Sequence, residues 1–381
     1  MDFSWSPDQI ELRDAVAEFA RTALSDDLIR RDKHSEFSRD LWNRCAQFGI
    51  QGLPIPEEYG GRGCDTLTTV LALEALGYGC RDNGLLFGIS AQMWSVQMPI
   101  LLTGSEPQKT KYLPGLCDGT RIGAHAMSEP SAGSDAFGLR TTAERRGDRY
   151  VLNGSKTFVS NAPVADVFVV FASVDLAKGS LGLTAFLVDR DTPGLSVSRP
   201  IGKMGLTTSP MAELFFDDCE VALENRLGRE GRGASLFNDS MEWERSCILA
   251  AFLGTMQRQL ETCVRYAKER HQFGKPIGEF QSVSNRLVQM KVRLETSRLQ
   301  LYHAAWTKQQ GGPAGTAAAI AKLFISEASL QSALDAVQVH GGYGFTTEYE
   351  VERELRDAVG GRLYSGTSEI QAAIIARNLG L

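Results

Sequence analysis

The spacing of hydrophobic and polar positions changes twice along this chain, and the changes divide it into three regions. Residues 1–118 and 227–381 carry apolar residues at helical intervals, whereas residues 119–226 carry short apolar runs separated by Gly, Asn, Asp and Pro. Apolar positions three or four residues apart predict amphipathic helices, and short runs between turn residues predict strands. The pattern therefore predicts a mainly α protein with a central antiparallel β domain between two helical domains, the second of them a bundle.

Individual elements follow from local signals. Ser6 and Pro7 suit the N-cap and first position of a helix, so the first helix is predicted to begin there. The run VFVVFA at 167–172 predicts a strand buried on both faces. The other predicted helices are 67–76, a segment ending at 101, 236–270, 281–310, 314–340 and 367–379, and the other predicted strands are 150–152, 157–160, 183–188 and 195–200.

Composition excludes several classes of protein. A net charge of −6 argues against a nucleic-acid partner, which usually selects a basic face. Seven cysteines without a C-x-x-C pair, and five histidines without H-E-x-x-H, predict neither a disulfide framework nor a metal site. The N-terminal segment resembles no targeting peptide, and we find no apolar run of about 18 residues. We therefore expect a cytoplasmic protein that does not bind membranes.

Three common catalytic motifs are missing from the sequence. No G-x-G-x-x-G follows a predicted strand, and no G-x-x-x-x-G-K-S/T occurs. The first absence argues against an NAD-binding Rossmann unit and the second against a P-loop. Without G-x-S-x-G there is no nucleophile elbow for a serine hydrolase.

Five ordered motifs carry a resemblance to a known family. They are MSEPSAGSD at 127–135, YVLNGSKTFVSN at 150–161, RHQFGKPI at 270–277, QVHGGYG at 338–344 and GTSEI at 366–370. In this order and spacing the chain resembles the acyl-CoA dehydrogenases over almost its whole length. The resemblance implies a middle β-barrel-like domain, a C-terminal four-helix bundle, FAD as cofactor and a homotetramer.

The resemblance also implies cofactor contacts. Phe158 takes the place of the commoner Trp that covers the isoalloxazine ring, and Ser160 takes that of a hydroxyl near flavin N5. Arg270 and Gln338 match residues that reach the FAD of a neighbouring subunit. The full set of implied FAD contacts is Met127, Ser128, Gly133, Ser134, Phe158, Ser160, Arg270, Phe273, Gln281, Gln338, Gly341, Gly342, Thr367 and Glu369.

The same residues have simpler interpretations without the resemblance. Phe158 and Ser160 alternate on a predicted strand, so they share one face, as in any half-buried strand. Arg270 near a helix end complements the helix dipole, and Gln338 before two glycines is an ordinary helix terminus. Thr367 can cap the last helix, whose N-terminus also favours phosphate oxygens.

The catalytic base is the informative departure from the family. Many members carry a carboxylate just before the Gly-Thr-Ser motif, where this chain has Ser365. Glu244 lies on the apolar stripe of the helix predicted at 236–270, so we expect it to be buried with a raised pKa, as a base requires. Arg245 does not face that stripe. A buried Glu paired with a distant cation is the alternative.

The resemblance favours Glu244 as the base. Glu244–Arg245 matches the pair that isovaleryl- and long-chain-type members use when the usual position lacks a carboxylate. The backbone N–H of residue 365 is then implied to bind the thioester oxygen. The substrate-binding residues are predicted to be Ser365, Arg245, Tyr364 and Ser134.

The substrate is predicted from two local similarities. MEWER at 241–245 and LYSGTSEIQ at 363–371 resemble a subgroup that oxidises a prolyl thioester on a peptidyl carrier protein toward a pyrrole-2-carboxyl unit. A short branched-chain acyl-CoA dehydrogenase of the isovaleryl type is the alternative enzyme. A flavoprotein that binds thioesters without dehydrogenating them is the alternative of another class. Electron-transferring flavoprotein and oxygen both remain open as electron acceptors.

Overall fold

A computed structural model of the protein describes residues 4–381 and begins with a helical region. Its helices are α1 (Pro7–Ala23), α2 (Leu28–His34), α3 (Arg39–Phe48), α4 (Thr66–Gly79), α5 (Asn83–Gln92), α6 (Met98–Thr103) and α7 (Glu106–Cys117). The predicted start of α1 is confirmed. The Ser6 hydroxyl accepts from the Gln9 N–H at 3.2 Å, and the Gln9 side chain accepts from the Ser6 N–H at 3.0 Å, a capping box.

The helices α5 and α6 form one continuous apolar stretch. A π-helical turn, Met93–Gln97, joins them. Among residues 4–381, Asn83–Thr103 is the one helix with the length and apolar composition to cross a membrane, a case that the sequence pattern did not identify. About 78% of its most apolar window is buried inside the protein, however, so its hydrophobicity is that of a core helix.

The middle region is one eight-stranded sheet. Its strands are β1 (Gly123–Ala126), β2 (Thr142–Arg146), β3 (Arg149–Ser160), β4 (Val167–Ser173), β5 (Leu183–Asp189), β6 (Leu195–Val197), β7 (Met211–Ala222) and β8 (Arg226–Leu227). The order is β6-β7-β3-β2-β4-β5-β8, with β1 beside β4. As predicted, every residue of β4 is buried.

Two strand pairs depart from the predicted antiparallel arrangement. β1 pairs with β4 in parallel, and β2 meets β4 in parallel at Thr142 and Ser173. Parallel neighbours need a long connection, which the β2–β3 hairpin supplies between β1 and β4. The runs predicted at 150–152 and 157–160 are one strand, β3, and its long partner β7 was not predicted.

The C-terminal region is a helical bundle. Its helices are α8 (Gly233–Cys247), α9 (Ala250–Glu269), α10 (Gln281–Gln309), α11 (Gly315–His340), α12 (Val351–Gly360) and α13 (Ser368–Asn378). The long helices α8 to α11 pack against one another, and α12 and α13 pack on α11. The predicted order of helical, β and helical regions is confirmed. The helix predicted at 236–270 is two helices, and α12 was not predicted.

The bundle packs tightly against the N-terminal region. Helices α4 and α9 cross where a Cβ atom on Gly77 would lie 1.9 Å from the Ala251 carbonyl oxygen and one on Gly254 would lie 2.1 Å from that of Glu74. Only glycine permits such a close approach of two helix backbones. This contact and that of the π-turn with α8 join the N-terminal helices to the bundle.

A short hairpin follows α9. It consists of β9 (His271–Gln272) and β10 (Lys275–Pro276), paired antiparallel. The helix predicted to end at 270 ends at Glu269, and Phe273 and Gly274 form the tip of this hairpin. Both tip residues have positive φ angles, 52° and 81°.

Candidate active site

Glu244 on α8 is the centre of a buried polar contact between two regions of the chain. Its side chain lies inside the protein, with the residue 8% exposed. One carboxylate oxygen accepts a hydrogen bond from the Ser95 hydroxyl, and the other accepts one from the Ser365 hydroxyl. Within residues 4–381 no ion pair to Glu244 is formed, so the alternative of a structural Glu paired with a distant cation is not observed. Its partners are two neutral hydroxyls.

The electrostatics of Glu244 follow from this arrangement. Burial raises its pKa above the ordinary value for Glu, as predicted. The hydroxyls of Ser365 and Ser95 oppose that rise because they favour the carboxylate, as do the charges of Arg245 and Lys322. A buried carboxylate with a raised pKa and few donors has the properties of a proton acceptor.

Ser95 is held by the packing of its neighbours. It lies in the π-turn between α5 and α6, where the wider turn changes the direction of the side chains. Trp94 stacks on Trp243 with ring centroids 6.1 Å apart and planes 2° apart, so residues 94–95 lie beside residues 243–244. Lys308 places its ammonium 4.9 Å from the centroid of the Trp243 ring. Sequence reasoning missed Ser95, since nothing local marks a π-turn.

The predicted substrate-binding residues of the C-terminal region meet at the same place. Arg245 turns away from Glu244 and donates from Nε to the Ser365 carbonyl oxygen at 2.9 Å. The Tyr364 ring lies 4.7 Å from that of Phe87, and among the described residues its hydroxyl has no hydrogen-bond partner. Ser365 has a φ of 57°, the left-handed region, which is uncommon for a residue with a side chain.

Phe158 and Ser160 lie on either side of Val159 in β3, where the strand is irregular. The pairing of β3 with β7 slips between Lys156 and Val159, and Phe158 has a φ of 56°. The Phe158 ring is 64% exposed, whereas the intervening Val159 is buried. The bulge thus presents a flat aromatic surface outside the core.

A buried ion pair supports this part of the sheet. Lys156 donates to the Met127 carbonyl oxygen at 3.1 Å and to the Glu129 carboxylate at 2.8 Å, and burial lowers its pKa to about 8. The Thr157 N–H donates to the Ser128 carbonyl oxygen at 2.9 Å. Lys156 and Glu129 belong to the two β-domain motifs, but the sequence had suggested no role for either. They tie the 127–128 backbone to β3.

The predicted cofactor residues Gly133 and Ser134 lie exposed on the loop after this segment. A Cβ atom on Gly133 would meet no atom within 4 Å, and the same holds for Gly341 and Gly342. These backbones therefore border open space, where a bound group can approach them closely.

A third group of predicted residues surrounds the end of α9. Arg270 is the C-cap of α9, as its simpler interpretation requires, and its guanidinium carbon lies 5.6 Å from the centroid of the Tyr343 ring. Gln338 is exposed near the end of α11, one turn before Gly341. A cleft of about 450 Å³ is lined by Arg81, Thr262, Arg265, Tyr266, Glu269, Arg270, His340, Tyr343, Glu348, Tyr349 and Glu350.

The remaining predicted cofactor residues lie at chain turns and helix starts. Phe273 is 94% exposed at the tip of the β9–β10 hairpin, and Gln281 is the exposed first residue of α10. Thr367 caps α13 as predicted, accepting from the Ile370 N–H at 3.4 Å, and Glu369 is exposed in the first turn. Within residues 4–381 no hydrogen bond joins Arg270 or Gln338 to Glu244 or to Phe158.

Comparison with known proteins gives consistent matches along the chain. Family models of the N-terminal, middle and C-terminal domains of acyl-CoA dehydrogenase match residues 6–120, 124–219 and 231–380. A Pseudomonas fluorescens protein named L-prolyl-(peptidyl-carrier protein) dehydrogenase is 44% identical, with 100% of both chains covered. The crystal structure of the prolyl acyl carrier protein oxidase AnaB is 52% identical, with a TM-score of 0.98 over 99% of this chain and 100% of AnaB. The structure "PigA with FAD and proline" is 43% identical, with a TM-score of 0.98 and 100% of both chains covered.

Proposed function

Because the chain belongs to the acyl-CoA dehydrogenase family, as its motifs predict, we propose that it is an FAD-dependent dehydrogenase of a carrier-bound prolyl thioester. The product is an unsaturated thioester on the way to a pyrrole-2-carboxyl group. The observation that carries the proposal is the buried Glu244 carboxylate, held by Ser95 and Ser365 at the point where many family members have their carboxylate.

The described residues fit an FAD molecule. The exposed Phe158 ring offers a flat surface for an isoalloxazine ring, and Ser160, two residues later, offers a hydroxyl. The N-terminus of α13 and the Arg270 guanidinium, which forms no ion pair within residues 4–381, suit phosphate oxygens. Bound FAD supplies the hydride acceptor for the β-hydrogen.

The chain's own residues then have separate roles in the reaction. Glu244 accepts the α-proton of the thioester, and its raised pKa brings its basicity closer to the working pH. The Ser365 N–H, which donates no hydrogen bond within the described residues, binds the thioester oxygen as negative charge develops there. Tyr364 and Arg245 shape and hold this end of the site, and Ser134 contributes a hydroxyl from the β domain.

The choice of prolyl over other acyl groups is supported by the similarity to proteins named for prolyl carriers. The Glu244–Arg245 pair also fits an isovaleryl-type dehydrogenase. An isovaleryl thioester is therefore the alternative substrate to compare with the prolyl thioester. Arg270 and Gln338 match family residues that reach the FAD of a neighbouring subunit, which supports a site completed by a second subunit, in a homotetramer. We propose a cytoplasmic enzyme reoxidised by electron-transferring flavoprotein or by oxygen.

The proposal is tested by anaerobic stopped-flow flavin reduction with four thioesters. Prolyl-carrier, prolyl-CoA, isovaleryl-carrier and isovaleryl-CoA separate the acyl group from the arm that bears it. We expect prolyl-carrier to be fastest, with a kcat/KM that falls as salt screens the docking of an acidic carrier. Faster flavin reduction by isovaleryl-CoA than by prolyl-carrier would make isovaleryl-CoA the substrate in place of the prolyl thioester. A purified protein that binds no FAD would refute the enzyme class.

A further inference from the structure

Three side chains from three helices grip two consecutive backbone carbonyls beside Glu244. Arg245 of α8 donates to the Ser365 carbonyl oxygen at 2.9 Å, and Lys322 of α11 donates to that of Gly366 at 2.7 Å. Gln371 of α13 donates to both oxygens, at 3.1 Å and 2.8 Å. The 365–366 turn is therefore fixed from three directions.

This turn needs such support because its backbone is strained. Ser365 has a φ of 57° and Gly366 a φ of 88°. A non-glycine residue in the left-handed region is energetically unfavourable and persists only where its surroundings enforce it. Bonds to both carbonyl oxygens fix the dihedral angles of residue 365, and with them the direction of the Ser365 N–H.

Lys322 is the least expected of the three. It is fully buried, at 0% exposure, in the apolar sequence AAAIAKLFI of α11. Within residues 4–381 it forms no ion pair; its one hydrogen bond goes to Gly366, and its ammonium lies 5.9 Å from the centroid of the Tyr364 ring. An ammonium group without a paired carboxylate is costly to bury, and an apolar residue would fill the space at lower cost.

The charges around Lys322 are specific to the site. The pKa of Lys322 is lowered to about 8, mainly by burial and next by repulsion from Arg245. The carboxylates of Glu244, Glu327 and Glu369 act in the opposite direction and raise it. Around Glu244 lie the hydroxyls of Ser95 and Ser365 and the cations Arg245 and Lys322. Burial and, to a smaller extent, the Glu244 charge raise the pKa of Tyr364. Loss of the Lys322 charge therefore destabilises the ionised form of Glu244 and raises its pKa further.

We propose that Lys322 is a positioning residue for the reaction: with Arg245 and Gln371 it holds the 365–366 turn so that the Ser365 N–H binds the thioester oxygen while Glu244 removes the α-proton. This inference rests on the proposed function. It predicts that the charge and the hydrogen bond of Lys322 act through the backbone and through Glu244, without contact to the substrate.

The test uses the FAD-loaded enzyme and the variant Lys322→Met. Loss of one oxyanion-hole donor costs about 10²–10³-fold in rate, so misplacing it should slow flavin reduction by roughly 10–100-fold per bound FAD. Binding of a non-reactive prolyl-carrier amide should change little, because the group acts as charge develops. The acid limb of the pH–rate profile should move to higher pH. Lys322→Arg, which keeps charge and donor, should recover part of the rate.

The matched control is Lys203→Met. Lys203 is a partly buried lysine with a pKa lowered by burial to about 8, and it donates to the Leu206 carbonyl oxygen at 2.7 Å and to that of Ser209. It should lose comparable thermal stability but keep the reduction rate per bound FAD. If Lys322→Met matches this control in rate and pH profile, Lys322 is only structural and the inference is wrong.

Two further outcomes keep the inference separate from the proposed function. If Lys322→Met does not retain FAD, Gln371→Met removes hydrogen bonds to the same two carbonyls without removing a charge. A normal rate of flavin reduction in Gln371→Met would overturn the inference. A wild-type enzyme with normal FAD but no turnover of any thioester would instead refute the proposed function.

Discussion

Replacing Glu244 with Gln separates a catalytic carboxylate from a structural one. The carboxylate accepts from Ser95 and Ser365 and makes no ion pair within the described residues, so the amide can keep both contacts if one serine hydroxyl rotates to accept. Folding, FAD retention and thioester binding should therefore survive. Without a group to take the α-proton, flavin reduction should fall by about 10²–10⁴-fold at every pH.

Replacing Ser95 tests how far its hydroxyl sets the pKa of Glu244. A hydrogen bond to a charged group contributes about 1.5–3 kcal/mol, so its loss in Ser95→Ala should shift the ionisation equilibrium of Glu244 toward the acid by roughly 10–100-fold. The pKa of Glu244 is already raised by burial, and losing the hydroxyl raises it further. Reduction should then be slow at acidic pH, where Glu244 is protonated, and should approach the normal rate at higher pH.

Single-turnover stopped flow across a pH series measures all of these variants. Glu242→Gln is the matched control: Glu242 lies on the same helix, accepts from Lys308 at 3.1 Å and from the Ala314 N–H at 2.9 Å, and is outside the proposed chemistry. It should reduce its flavin normally. A near-normal rate in Glu244→Gln would make Glu244 a structural carboxylate. A Ser95→Ala profile that overlays the wild type would show that the hydroxyl does not tune it.

Two other substitutions follow from the remaining clusters. Arg270→Ala should weaken FAD retention by about 10–100-fold, the loss of one charge-assisted contact, while the thermal stability of the apoprotein stays within about 0.5 kcal/mol, since Arg270 is exposed. The flavin-to-protein ratio measures FAD retention, and sedimentation measures the oligomeric state. Arg265→Ala, in the same cleft, is the control. Monomers of Arg270→Ala that keep their FAD would contradict the prediction. Lys156→Met should lower the free energy of unfolding by about 3–5 kcal/mol, because it leaves Glu129 buried without its cation. Thermal unfolding of the single variants and of Lys156→Met/Glu129→Gln tests this, and additive losses would show that the pair is not coupled.

The fold was predictable where the sequence carries a strong local signal. Ser6 and Pro7 mark the start of α1, and the unbroken apolar run of β4 marks a strand covered on both faces. The strand β7 was missed although its buried residues alternate at 214, 216, 219 and 221 around a bulge. The parallel pairing of β1 with β4 was not predictable, because strand order depends on contacts across some 40 residues.

The candidate site was predictable only where one residue stands out from its own helix. Glu244 interrupts an apolar stripe, and its burial and raised pKa follow from that position. Lys322 was not predicted, although a single charge within an apolar helical run is an equally clear signal. Ser95 gives none, because its contact with Glu244 exists only through the π-turn and the stacking of Trp94 on Trp243.

The arrangement around residue 365 explains how a family site can lose its usual carboxylate without losing its geometry. Two proposed functions meet at this residue, and they belong to different atoms. The backbone N–H, fixed by bonds to the carbonyls of residues 365 and 366, is independent of the side chain. The Ser365 side chain acts separately, through the hydroxyl that donates to the Glu244 carboxylate. Because the Ser365 hydroxyl contacts the Glu244 carboxylate, α8 delivers a carboxylate to the point that a residue at 365 would reach. A small residue at 365 is then a requirement of the helix-borne base, since a longer carboxylate there would repel Glu244.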